Sequence, residues 1–386
     1  MKKKRFEVIQ NIPSPYRLHL FKEMWRQLAS VGVDFHVNFM SEGHSQRPDS
    51  WRNPQIDFPH QYWRDYGVRT HHFNPGLIAY IRKCAPDYLL VGSPFDTFTS
   101  IITSWMCPAN MRCAWVEGQT KTPGQMNGFK GAFKRIVLSK YPLVGVPGSD
   151  GARYFAMHQA LTRRRMPRPI MLPNLIDETR FRVRSDWSTD DIDKMRDYCG
   201  VDEAYTKLCI IPARLDAVKG LVEFVEKLSP QMIKGWKIVI MGQGPLKDEI
   251  IAKATDIGIV DNLRIFDYVP YLEMPKFYAA ADLFLLPSKH DPNPLSVVEA
   301  LHSGLPIALS DRAGNIEEAV SERCNGWRLP VLNSDLYRTV LEEVFATPIE
   351  ALRKMGRHSK EDNARFWDSK KSVANFLKEL IGVSIS

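Results

Sequence analysis

The sequence predicts an α/β protein in which two open parallel sheets, each covered by helices, form two domains. Three observations support this prediction. The chain has 386 residues, which is more than one ordinary hydrophobic core holds. Short apolar runs alternate with stretches of helical periodicity, as in parallel sheets with crossover helices. Two charged motifs also follow predicted strands, and open parallel sheets bind ligands beyond the carboxyl ends of their strands.

The N-terminal half opens with a buried strand at residues 6–12 and an amphipathic helix at residues 17–30. In that helix, apolar side chains such as Leu18, Phe21 and Met24 recur at helical spacing. Residues 41–67 are rich in Pro, Asp, Gln and Trp without periodicity, and they are predicted to form a long loop. Further strands of this half are predicted at residues 33–39, 88–91, 111–116, 143–146 and 170–172.

The C-terminal half repeats the alternation of strand and helix more regularly. Its strands are predicted at residues 208–212, 236–242, 263–266, 283–286 and 306–309. Residues 332–380 are predicted to be largely helical, ending in one long helix at 361–380. We place the boundary between the N-terminal domain, 1–173, and the C-terminal domain, 174–360, in the segment that follows the strand at 170–172.

Charge is distributed unevenly between the two halves. Residues 1–176 hold 24 Lys and Arg against 11 Asp and Glu, a net +13, whereas the remainder carries a net −5. The N-terminal half should therefore favour an anionic surface or substrate: lipid headgroups, a lipid-diphosphate acceptor or nucleic acid. No recognised nucleic-acid-binding motif occurs, so nucleic acid is the least favoured of these partners.

Composition also predicts the compartment. No run of about 20 uncharged apolar residues exists, and no apolar core of signal-peptide length follows the basic residues 2–5. The six cysteines form no CxxC pair and no Cys/His cluster with zinc-like spacing. These features predict free thiols in a reducing cytoplasm.

Two basic segments of the N-terminal half have two interpretations each. Residues 128–140 predict an amphipathic helix in which Phe129, Phe133, Ile136 and Val137 can share one face. That face either packs on the core, as in an ordinary surface helix, or contacts a membrane. The cluster at residues 163–168 is either a solvated turn or a lipid contact.

The most informative motifs are residues 214–220 and 291–299. The first places Arg214 and Lys219 at a strand-to-helix junction, and the second places Asp291 and Glu299 eight positions apart. A guanidinium fork and an ammonium suit a diphosphate, and carboxylates accept hydrogen bonds from hydroxyls. Fixed cations also stabilise the charge that develops on a diphosphate leaving group. The alternatives are a surface Arg, a helix-start Lys, a turn Asp and an ordinary helix-surface Glu.

A helix is predicted to start within the second motif. Pro294, Leu295 and Ser296 should form its first turn, since Pro is well tolerated there. Free backbone N–H groups at a helix start form a natural phosphate site. Glu299 would follow about one turn later.

Together these motifs resemble the retaining glycosyltransferases of family four, which have the GT-B architecture of two Rossmann-like domains. The resemblance spans most of the chain. Residues 174–181 are similar to the family's interdomain linker and residues 242–245 to its Gly-x-Gly-Pro turn. Residues 277–288 are similar to the strand that precedes the carboxylate motif, and 291–306 to the motif itself. The resemblance implies that residues 361–386 form a helix packing back on the N-terminal domain.

The resemblance also implies roles for individual residues. Arg214 and Lys219 would hold the donor diphosphate, Asp291 the donor sugar and Glu299 the ribose hydroxyls. The backbone of Val269 would read the nucleobase. Gly242 and the helix start at residues 294–296 would belong to the nucleotide site. Family four is generally independent of metal ions, and no cofactor is expected.

The sequence departs from the family pattern at several positions. Asp291 stands where the family has Glu, and Pro294 where many members have Gly. The N-terminal glycine pair is absent, and the segment that replaces it carries Ser14, Tyr16 and Arg17, which we predict to lie on the acceptor side. The common His-Asp is also absent. Glu117, at the corresponding strand end, is predicted to take a catalytic role, with a salt-bridged or solvated Glu as the alternative.

The predicted function is transfer of a sugar, with retention, from a nucleotide-diphosphate donor to a glycan or lipid-linked acceptor. Polysaccharide or glycoconjugate biosynthesis, in the cytoplasm or on the inner face of the membrane, would be the setting. Two alternatives remain open: a nucleotide-sugar epimerase or phosphorylase, and a non-catalytic GT-B-like subunit at the membrane. Residues 191–193 have the Asp-x-Asp form of a metal site, but the charged helix around them indicates a solvated face.

Overall fold

The computed structural model describes residues 3–42, 55–68, 71–120, 128–182 and 187–383. The chain divides into two compact units. Unit 1 comprises Met1–Ile176 with Asp368–Ser386, and unit 2 comprises Asp177–Trp367. Each unit holds one parallel sheet covered by helices, so the predicted α/β fold class with two Rossmann-like domains is confirmed.

Unit 1 contains seven of the described strands in one sheet, in the order β3-β2-β1-β4-β5-β6-β7. All adjacent strands pair in parallel. The strands are β1 (Arg5–Gln10), β2 (Asp34–Phe39), β3 (His60–Tyr62), β4 (Tyr88–Gly92), β5 (Met111–Trp115), β6 (Leu143–Val146) and β7 (Arg168–Met171). The helices between them are α1 (Pro15–Ser30), α2 (Pro75–Cys84), α3 (Phe98–Met106), α4 (Gly128–Leu138) and α5 (Ser149–Ala160).

Strand β1 lies inside the sheet of unit 1 and contributes to the core on both faces, through Val8 on one face and Ile9 on the other. Val8 of β1 lies opposite Val37 of β2 on one side and Leu90 of β4 on the other, and all three are fully buried. This near-continuous apolar character is expected of parallel strands covered on both faces. The sheet thereby fixes the strand ends from which the polar loops of unit 1 emerge.

Unit 2 contains six of the described strands, also parallel, in the order β10-β9-β8-β11-β12-β13. They are β8 (Lys207–Pro212), β9 (Trp236–Met241), β10 (Leu263–Phe266), β11 (Leu283–Leu286), β12 (Ile307–Ser310) and β13 (Gly326–Leu329). Its helices are α6 (Thr189–Cys199), α7 (Leu221–Lys227), α8 (Lys247–Asp256), α9 (Met274–Ala280), α10 (Leu295–His302), α11 (Ile316–Ala319), α12 (Ser334–Ala346) and α13 (Ile349–Glu361). Ile210 of β8 pairs with Val239 and Phe284, and all three are fully buried.

The last helix, α14 (Ser369–Ile381), belongs to unit 1. It packs against α1, β5 and β7 through buried residues that include Val373, Phe376 and Leu377. Gln27 of α1 donates a hydrogen bond of 2.9 Å to Lys370 O. The prediction that the final helix returns to the N-terminal domain is therefore confirmed.

The end of the chain nevertheless differs from the predicted single helix at 361–380. Helix α13 ends at Glu361, a 3₁₀ segment spans Asn363–Trp367, and α14 begins only at Ser369. Asp368 caps α14, because its Oδ1 accepts a hydrogen bond of 2.9 Å from Lys371 N. This cap separates two helices that periodicity alone had merged.

The unit boundaries lie close to the expected ones but not at them. We expected divisions after residues 173 and 360, whereas the units divide after Ile176 and Trp367. Ile176 and Trp367 are both fully buried. The first boundary thus lies within the predicted linker at 174–181, and the second lies seven residues beyond the expected one.

Two strands were missed in the sequence. β3 lies inside the predicted loop at 41–67, and β13 was not identified in the C-terminal half. Both are short, at three and four residues, and both lie at a sheet edge, where the apolar signal of a strand is weakest. Residues 43–54 of the predicted loop lie outside the described residues.

Helix α3 presents its polar side chains to the interior and its apolar side chains to solvent. Thr99, Ser100, Thr103 and Ser104 are buried. The exposed side includes Phe98, Trp105 and Met106, at 57%, 54% and 56%. Two of the buried hydroxyls form hydrogen bonds: Ser100 Oγ donates to Gly92 O (3.2 Å) and Ser104 Oγ to Ser100 O (2.6 Å). Local bonding thus replaces the usual apolar inner face.

Helix α4 is also oriented differently from the predicted core face. Its buried residues are Gly131, Val137 and Leu138, whereas Phe129 is 87% exposed and Phe133 is 36% exposed. Of the predicted apolar face of Phe129, Phe133, Ile136 and Val137, only the Val137 end is buried, so the face does not pack on the core along its whole length. Contact of the exposed phenylalanines with a membrane stays a prediction.

Candidate functional site

The strand order of unit 2 reverses between β8 and β11. Because all pairings are parallel, both strands end at the same edge of the sheet. The chain leaves β8 after Pro212 into the loop of Arg214 and Lys219, and it leaves β11 after Leu286 into the loop of Asp291. The two motifs therefore meet at the topological switch point, where open α/β sheets bind ligands. We call these two loops and the start of α10 the switch-point site.

Arg214 lies on a loop that is fastened to the neighbouring strand end. Leu215 N donates a hydrogen bond of 3.1 Å to Gln243 O. A Cβ added at Gly242 would lie 2.1 Å from Ala213 O, so a side chain there would displace this backbone. Gly242 thus packs closely against the backbone of the Arg214 loop. Its predicted role in the nucleotide site stays a prediction.

The Arg214 side chain extends into solvent. It is 75% exposed, and its Nη2 lies 2.9 Å from Asp216 Oδ2. An ion pair this exposed contributes little to stability, on the order of 0–1 kcal/mol. The guanidinium can therefore exchange this partner for phosphate oxygens, which match its planar fork.

Lys219 is held from two sides. It ends a 3₁₀ turn and is followed by Gly220, whose φ of +67° is left-handed. A Cβ on Gly220 would lie 2.6 Å from Pro287 O. Lys289 N also donates a hydrogen bond of 2.8 Å to Val218 O. The loops after β8 and β11 are thus bonded to each other through their backbones.

Asp291 forms an ion pair with Lys219, with 2.5 Å between Nζ and Oδ2. The side chains of Lys219 and Asp291 are only 16% and 13% exposed. Gly314 supports Asp291, because Gly314 N donates a hydrogen bond of 2.9 Å to Asp291 O. A Cβ on Gly314 would lie 1.9 Å from Pro292 O. The structure therefore brings together the predicted cation and carboxylate on a tightly packed backbone.

Helix α10 begins at Leu295, and Pro294 is its N-cap residue without a side-chain cap. Asn315 Nδ2 donates a hydrogen bond of 3.1 Å to Pro294 O and so fixes this turn. The N–H groups of the first turn, including those of Leu295 and Ser296, have no acceptor within the helix. This arrangement can bind an anion at the switch-point site.

Glu299 follows on α10 and is buried, with 3% exposure. Tyr278 of α9 donates a hydrogen bond of 2.7 Å to Glu299 Oε2, and its hydroxyl also lies 3.3 Å from Ser296 O. Burial, together with the nearby Glu299 carboxylate, raises the pKa of Tyr271. Glu299 is therefore a positioned carboxylate in an aromatic setting, unlike an ordinary helix-surface Glu.

Val269 lies three residues beyond the end of β10. Gly242 N donates a hydrogen bond of 2.8 Å to Phe266 O, which places the ends of β9 and β10 side by side. Val269 therefore lies in a loop at the same sheet edge as the switch-point site, two strands from β8. Its contact with a nucleobase stays a prediction.

A second polar cluster lies in unit 1, and we call it the unit 1 cluster. Arg17 contacts Glu117, with 2.5 Å between Nη2 and Oε1, and donates from Nη1 to Asn174 Oδ1 at 3.1 Å. Asn174 Nδ2 donates to the same Glu117 oxygen at 3.0 Å. The Arg17 guanidinium also lies 3.4 Å from the ring centroid of Trp115. Burial lowers the pKa of Arg17, and Glu117 opposes this shift.

The unit 1 cluster contains two predicted site residues, Arg17 and Glu117. Glu117 is salt-bridged, which matches the alternative interpretation of this residue, and its catalytic role stays a prediction. Ser14 is the N-cap of α1, because its hydroxyl accepts from Arg17 N at 3.4 Å. Tyr16 lies in the first turn of that helix. The acceptor-side roles of Ser14, Tyr16 and Arg17 stay predictions.

No group of three or more His, Cys, Asp or Glu within the described ranges is arranged to hold a metal ion. The Asp-x-Asp sequence lies in the first turns of α6. There, Asp191 N donates a hydrogen bond of 3.1 Å to the capping Ser188, and Asp191 and Asp193 are exposed. The solvated-face interpretation agrees with this placement.

Three residues that contact the predicted site residues were not identified from the sequence. Asn174 bridges Arg17 and Glu117, Trp115 stacks on Arg17, and Tyr278 holds Glu299. Asn174 and Tyr278 lie inside stretches that resemble the family, and Trp115 lies at the strand end where the sequence departs from it, but none of the pairings was predicted. Their partners are 21 to 157 residues away, a separation that sequence patterns do not reveal.

Comparison with known sequences supports a family for part of the chain. Residues 203–362 match the family Glycosyl transferases group 1. One relative is the D-inositol 3-phosphate glycosyltransferase of Segniliparus rotundus, 29% identical over 129 residues, 33% of this chain and 28% of that protein. Another is the GDP-mannose-dependent alpha-(1-6)-phosphatidylinositol monomannoside mannosyltransferase of Mycolicibacterium smegmatis. It is 26% identical over 204 residues, 50% of this chain and 51% of that protein.

The chain thus spans from about a quarter to half of the length of these curated relatives. Among solved structures, Anabaena Alr3699/HepE in complex with UDP and glucose superposes with a TM-score of 0.72. The match covers 98% of this chain and 100% of the other at 16% identity. At that identity the likeness shows the fold, which is that of GT-B proteins with two Rossmann-like domains.

Proposed function

We propose that this protein is a retaining hexosyltransferase that moves a sugar from a nucleotide-diphosphate donor to a glycan or lipid-linked acceptor. Arg214, Lys219 and the first turn of α10 bind the diphosphate in this proposal. Asp291 accepts hydrogen bonds from the donor sugar, and Glu299 from the ribose. The cations stabilise the leaving diphosphate, so the reaction needs no metal ion.

One observation carries the proposal: two cations, two carboxylates and a free helix start converge at the switch point of one parallel sheet. This combination matches each charged or polar part of a nucleotide sugar. The match of residues 203–362 to group 1 glycosyl transferases covers the whole switch-point site and supports the same activity. The basic character of unit 1 supports an anionic, lipid-linked acceptor.

Thermal denaturation with UDP, GDP and ADP and their sugar conjugates, with and without EDTA, tests the donor site. A ligand that binds the native state at a hundredfold excess over Kd stabilises it by about 2.7 kcal/mol. We expect one nucleotide family to raise Tm selectively, with the same shift in EDTA. If no nucleotide raises Tm, the donor site does not exist and a non-catalytic subunit becomes the better description.

A second assay separates transfer from epimerisation. The nucleotide sugar selected by the Tm screen is incubated with the protein, with and without a lipid-linked acceptor, and the sugar products are resolved by chromatography. We expect nucleoside diphosphate to accumulate only with acceptor and the product to keep the anomeric configuration of the donor. An epimerised nucleotide sugar formed without acceptor would instead identify an epimerase.

We further propose that unit 1 contacts the anionic inner face of the membrane through α2, α3 and α4. These helices contain no Asp or Glu, and they carry five cations: Arg82, Lys83, Lys130, Lys134 and Arg135. The exposed apolar residues of α3 lie among these charges, and Lys134 and Lys140 lie 4.7 Å from the rings of Phe95 and Trp105. Apolar side chains flanked by cations complement an anionic lipid surface.

A groove between α2 and α3 adds to this surface. It has a volume of about 620 Å³ and is lined by Ile78, Ala79, Ile102 and Met106 together with Arg82 and Lys83. Within the described ranges no helix is long and apolar enough to cross a membrane. Contact through side chains of these helices is the mode of attachment that we propose.

Flotation with vesicles tests the membrane contact. We expect binding to vesicles of phosphatidylcholine mixed with phosphatidylglycerol, and little to phosphatidylcholine alone. Trp105→Ser should weaken binding several-fold, since an exposed aromatic anchor is lost. Leu332→Ser, at a 69% exposed apolar position of unit 2, serves as the matched control. Equal binding of both variants and the wild type would refute this surface.

A further inference from the structure

The ion pair of Lys219 and Asp291 differs from an ordinary surface pair. Both side chains are at least four-fifths buried, and both backbones are fixed by neighbouring loops. The bond from Lys289 N to Val218 O holds the turn before Lys219, and the bond from Gly314 N holds Asp291. Screening by water and salt is weak at such a position. The carboxylate and the ammonium therefore form a close ion pair that is shielded from solvent.

The other cation of the site has a different partner. Arg214 pairs with Asp216 at 75% exposure of the Arg side chain, so the phosphate can recruit it with little loss. A phosphate that binds Lys219 must share the ammonium with Asp291 or displace the carboxylate from it, since an ammonium has three N–H donors. In both cases the ion pair is weakened, and the Asp291 carboxylate lies close to a diphosphate of the same sign, a like-charge contact that opposes binding.

The outcome depends on whether a sugar is attached to the diphosphate. In a nucleotide sugar, the sugar hydroxyls donate hydrogen bonds to Asp291 and compensate for the weakened ion pair. A nucleoside diphosphate has no such hydroxyls, and a desolvated carboxylate with a weakened partner is unfavourable. Asp291 thus favours binding of the nucleotide sugar and disfavours binding of the nucleoside diphosphate.

We propose that Asp291 is a specificity-determining residue that competes with the diphosphate for Lys219 and so discriminates the nucleotide sugar from the nucleoside diphosphate. After transfer, Lys219 returns to Asp291 and the nucleoside diphosphate is displaced from the site. The short Asp side chain suits this role, since it reaches the lysine without extending across the site. This inference rests on the proposed function.

Titration calorimetry with the variants Asp291→Asn and Asp291→Glu tests the inference. The probes are UDP, GDP and ADP and their glucose or mannose conjugates. Asp291→Asn should bind the nucleoside diphosphate about tenfold more tightly than wild type does, because the competing charge is gone. It should bind the sugar conjugate no more tightly. The ratio of the two Kd values therefore falls, and stopped-flow release of the diphosphate slows by a similar factor.

Two comparisons make the result specific. Asp291→Glu keeps the charge and should retain weak binding of the nucleoside diphosphate. Asp190→Asn makes the same change of net charge at an exposed pair with Lys194, and it should bind both probes as the wild type does. Circular dichroism of each variant confirms folding.

The possible results distinguish a failure of the discrimination by Asp291 from a failure of the proposed function. If wild type binds a nucleotide sugar but Asp291→Asn binds the nucleoside diphosphate equally or more weakly, the discrimination is refuted and the donor site stands. If Asp190→Asn changes the ratio as much as Asp291→Asn does, net charge is the cause and the inference is again refuted. If wild type binds none of the probes, the proposed function and this inference both fail.

Discussion

The two units share one strand order over six strands, to which unit 1 adds β7, but they differ in the residues at the point where the strand order reverses. In unit 2, the loops after β8 and β11 carry an exposed Arg214 and an ion pair of Lys219 and Asp291. In unit 1, the corresponding reversal lies between β1 and β4. There the chain after β1 supplies Arg17, which is already bonded to Glu117 and stacked on an aromatic ring. The sheet defines where a site can form, and the loop residues decide whether its charges are available to a ligand.

The largest effect is expected for Arg214→Ala. Loss of one fixed cation at the diphosphate should lower kcat/KM by on the order of 10²–10³, or about 2.7–4 kcal/mol. Steady-state kinetics with the nucleotide sugar measure this effect. Arg338→Ala, at an exposed pair with Glu342 on α12, is the control and should retain full activity. An unchanged kcat/KM in Arg214→Ala would remove the contrast between the two units.

A smaller but still large effect is expected for Gly314→Ala. The new Cβ would lie 1.9 Å from Pro292 O, so the loop of Asp291 must move and donor affinity should fall at least tenfold. Gly258→Ala is the matched control, because its φ is +73° but no atom lies within 4 Å of the added Cβ. That control should lose only about 1 kcal/mol of stability through backbone strain and keep its donor affinity. Calorimetry and urea denaturation distinguish the two. Equal donor affinities would show that the Asp291 loop tolerates displacement.

In unit 1 we expect Glu117→Gln to affect stability more than donor binding. The variant leaves Arg17, at 20% side-chain exposure, without its anionic partner, which costs about 1–3 kcal/mol. Urea denaturation measures the loss, and the Kd for the nucleotide sugar should stay at the wild-type value. A fall in kcat with unchanged stability would instead support the predicted catalytic role of Glu117.

The last effect concerns the acid stability of unit 1 and leaves donor binding out of account. His158 is fully buried without a hydrogen-bond partner among the described residues. Burial, followed by repulsion from Arg135 and Lys134, lowers its pKa from 6.5 to about 4. In the unfolded chain His158 is protonated below about pH 6.5, whereas in the folded chain it stays neutral until about pH 4. Stability should fall as the pH drops through this window.

The variant His158→Phe tests this effect. It should lose less stability between pH 7 and pH 4 than wild type does, because the group that titrates only in the unfolded state is gone. Urea denaturation of both proteins across that range gives the slopes. Parallel slopes would show that other groups control the acid sensitivity.

Much of this architecture could be predicted from sequence for a simple reason. Buried parallel strands such as β8 and β11 are continuous apolar runs, and their motifs follow directly in the chain. Local order alone therefore places Arg214, Lys219 and Asp291 at strand ends. The short edge strands β3 and β13 gave no such signal and were missed, whereas the edge strands β7 and β10 were predicted.

Local sequence patterns did not predict which side chains pair with each other inside the two sites. Lys219 and Asp291 are 72 residues apart, and Arg17 and Asn174 are 157 residues apart. Helix α3 shows a different limit. Its sequence has ordinary amphipathic periodicity, but the local hydroxyl bonds of Ser100 and Ser104 turn the polar side inward. Periodicity identifies two faces of a helix, and only the packing shows which one is buried.

The placement of α14 in unit 1 bears on how the chain is made. The first 176 residues leave the ribosome early, yet the helix that covers α1 and β7 is encoded after Trp367. At about 5–20 residues per second, the intervening stretch takes roughly ten to forty seconds to translate. Unit 2 is continuous in sequence and can complete its core first. Unit 2 can thus complete its fold before unit 1 does. The face of unit 1 that binds α14 stays uncovered until α14 has been synthesised.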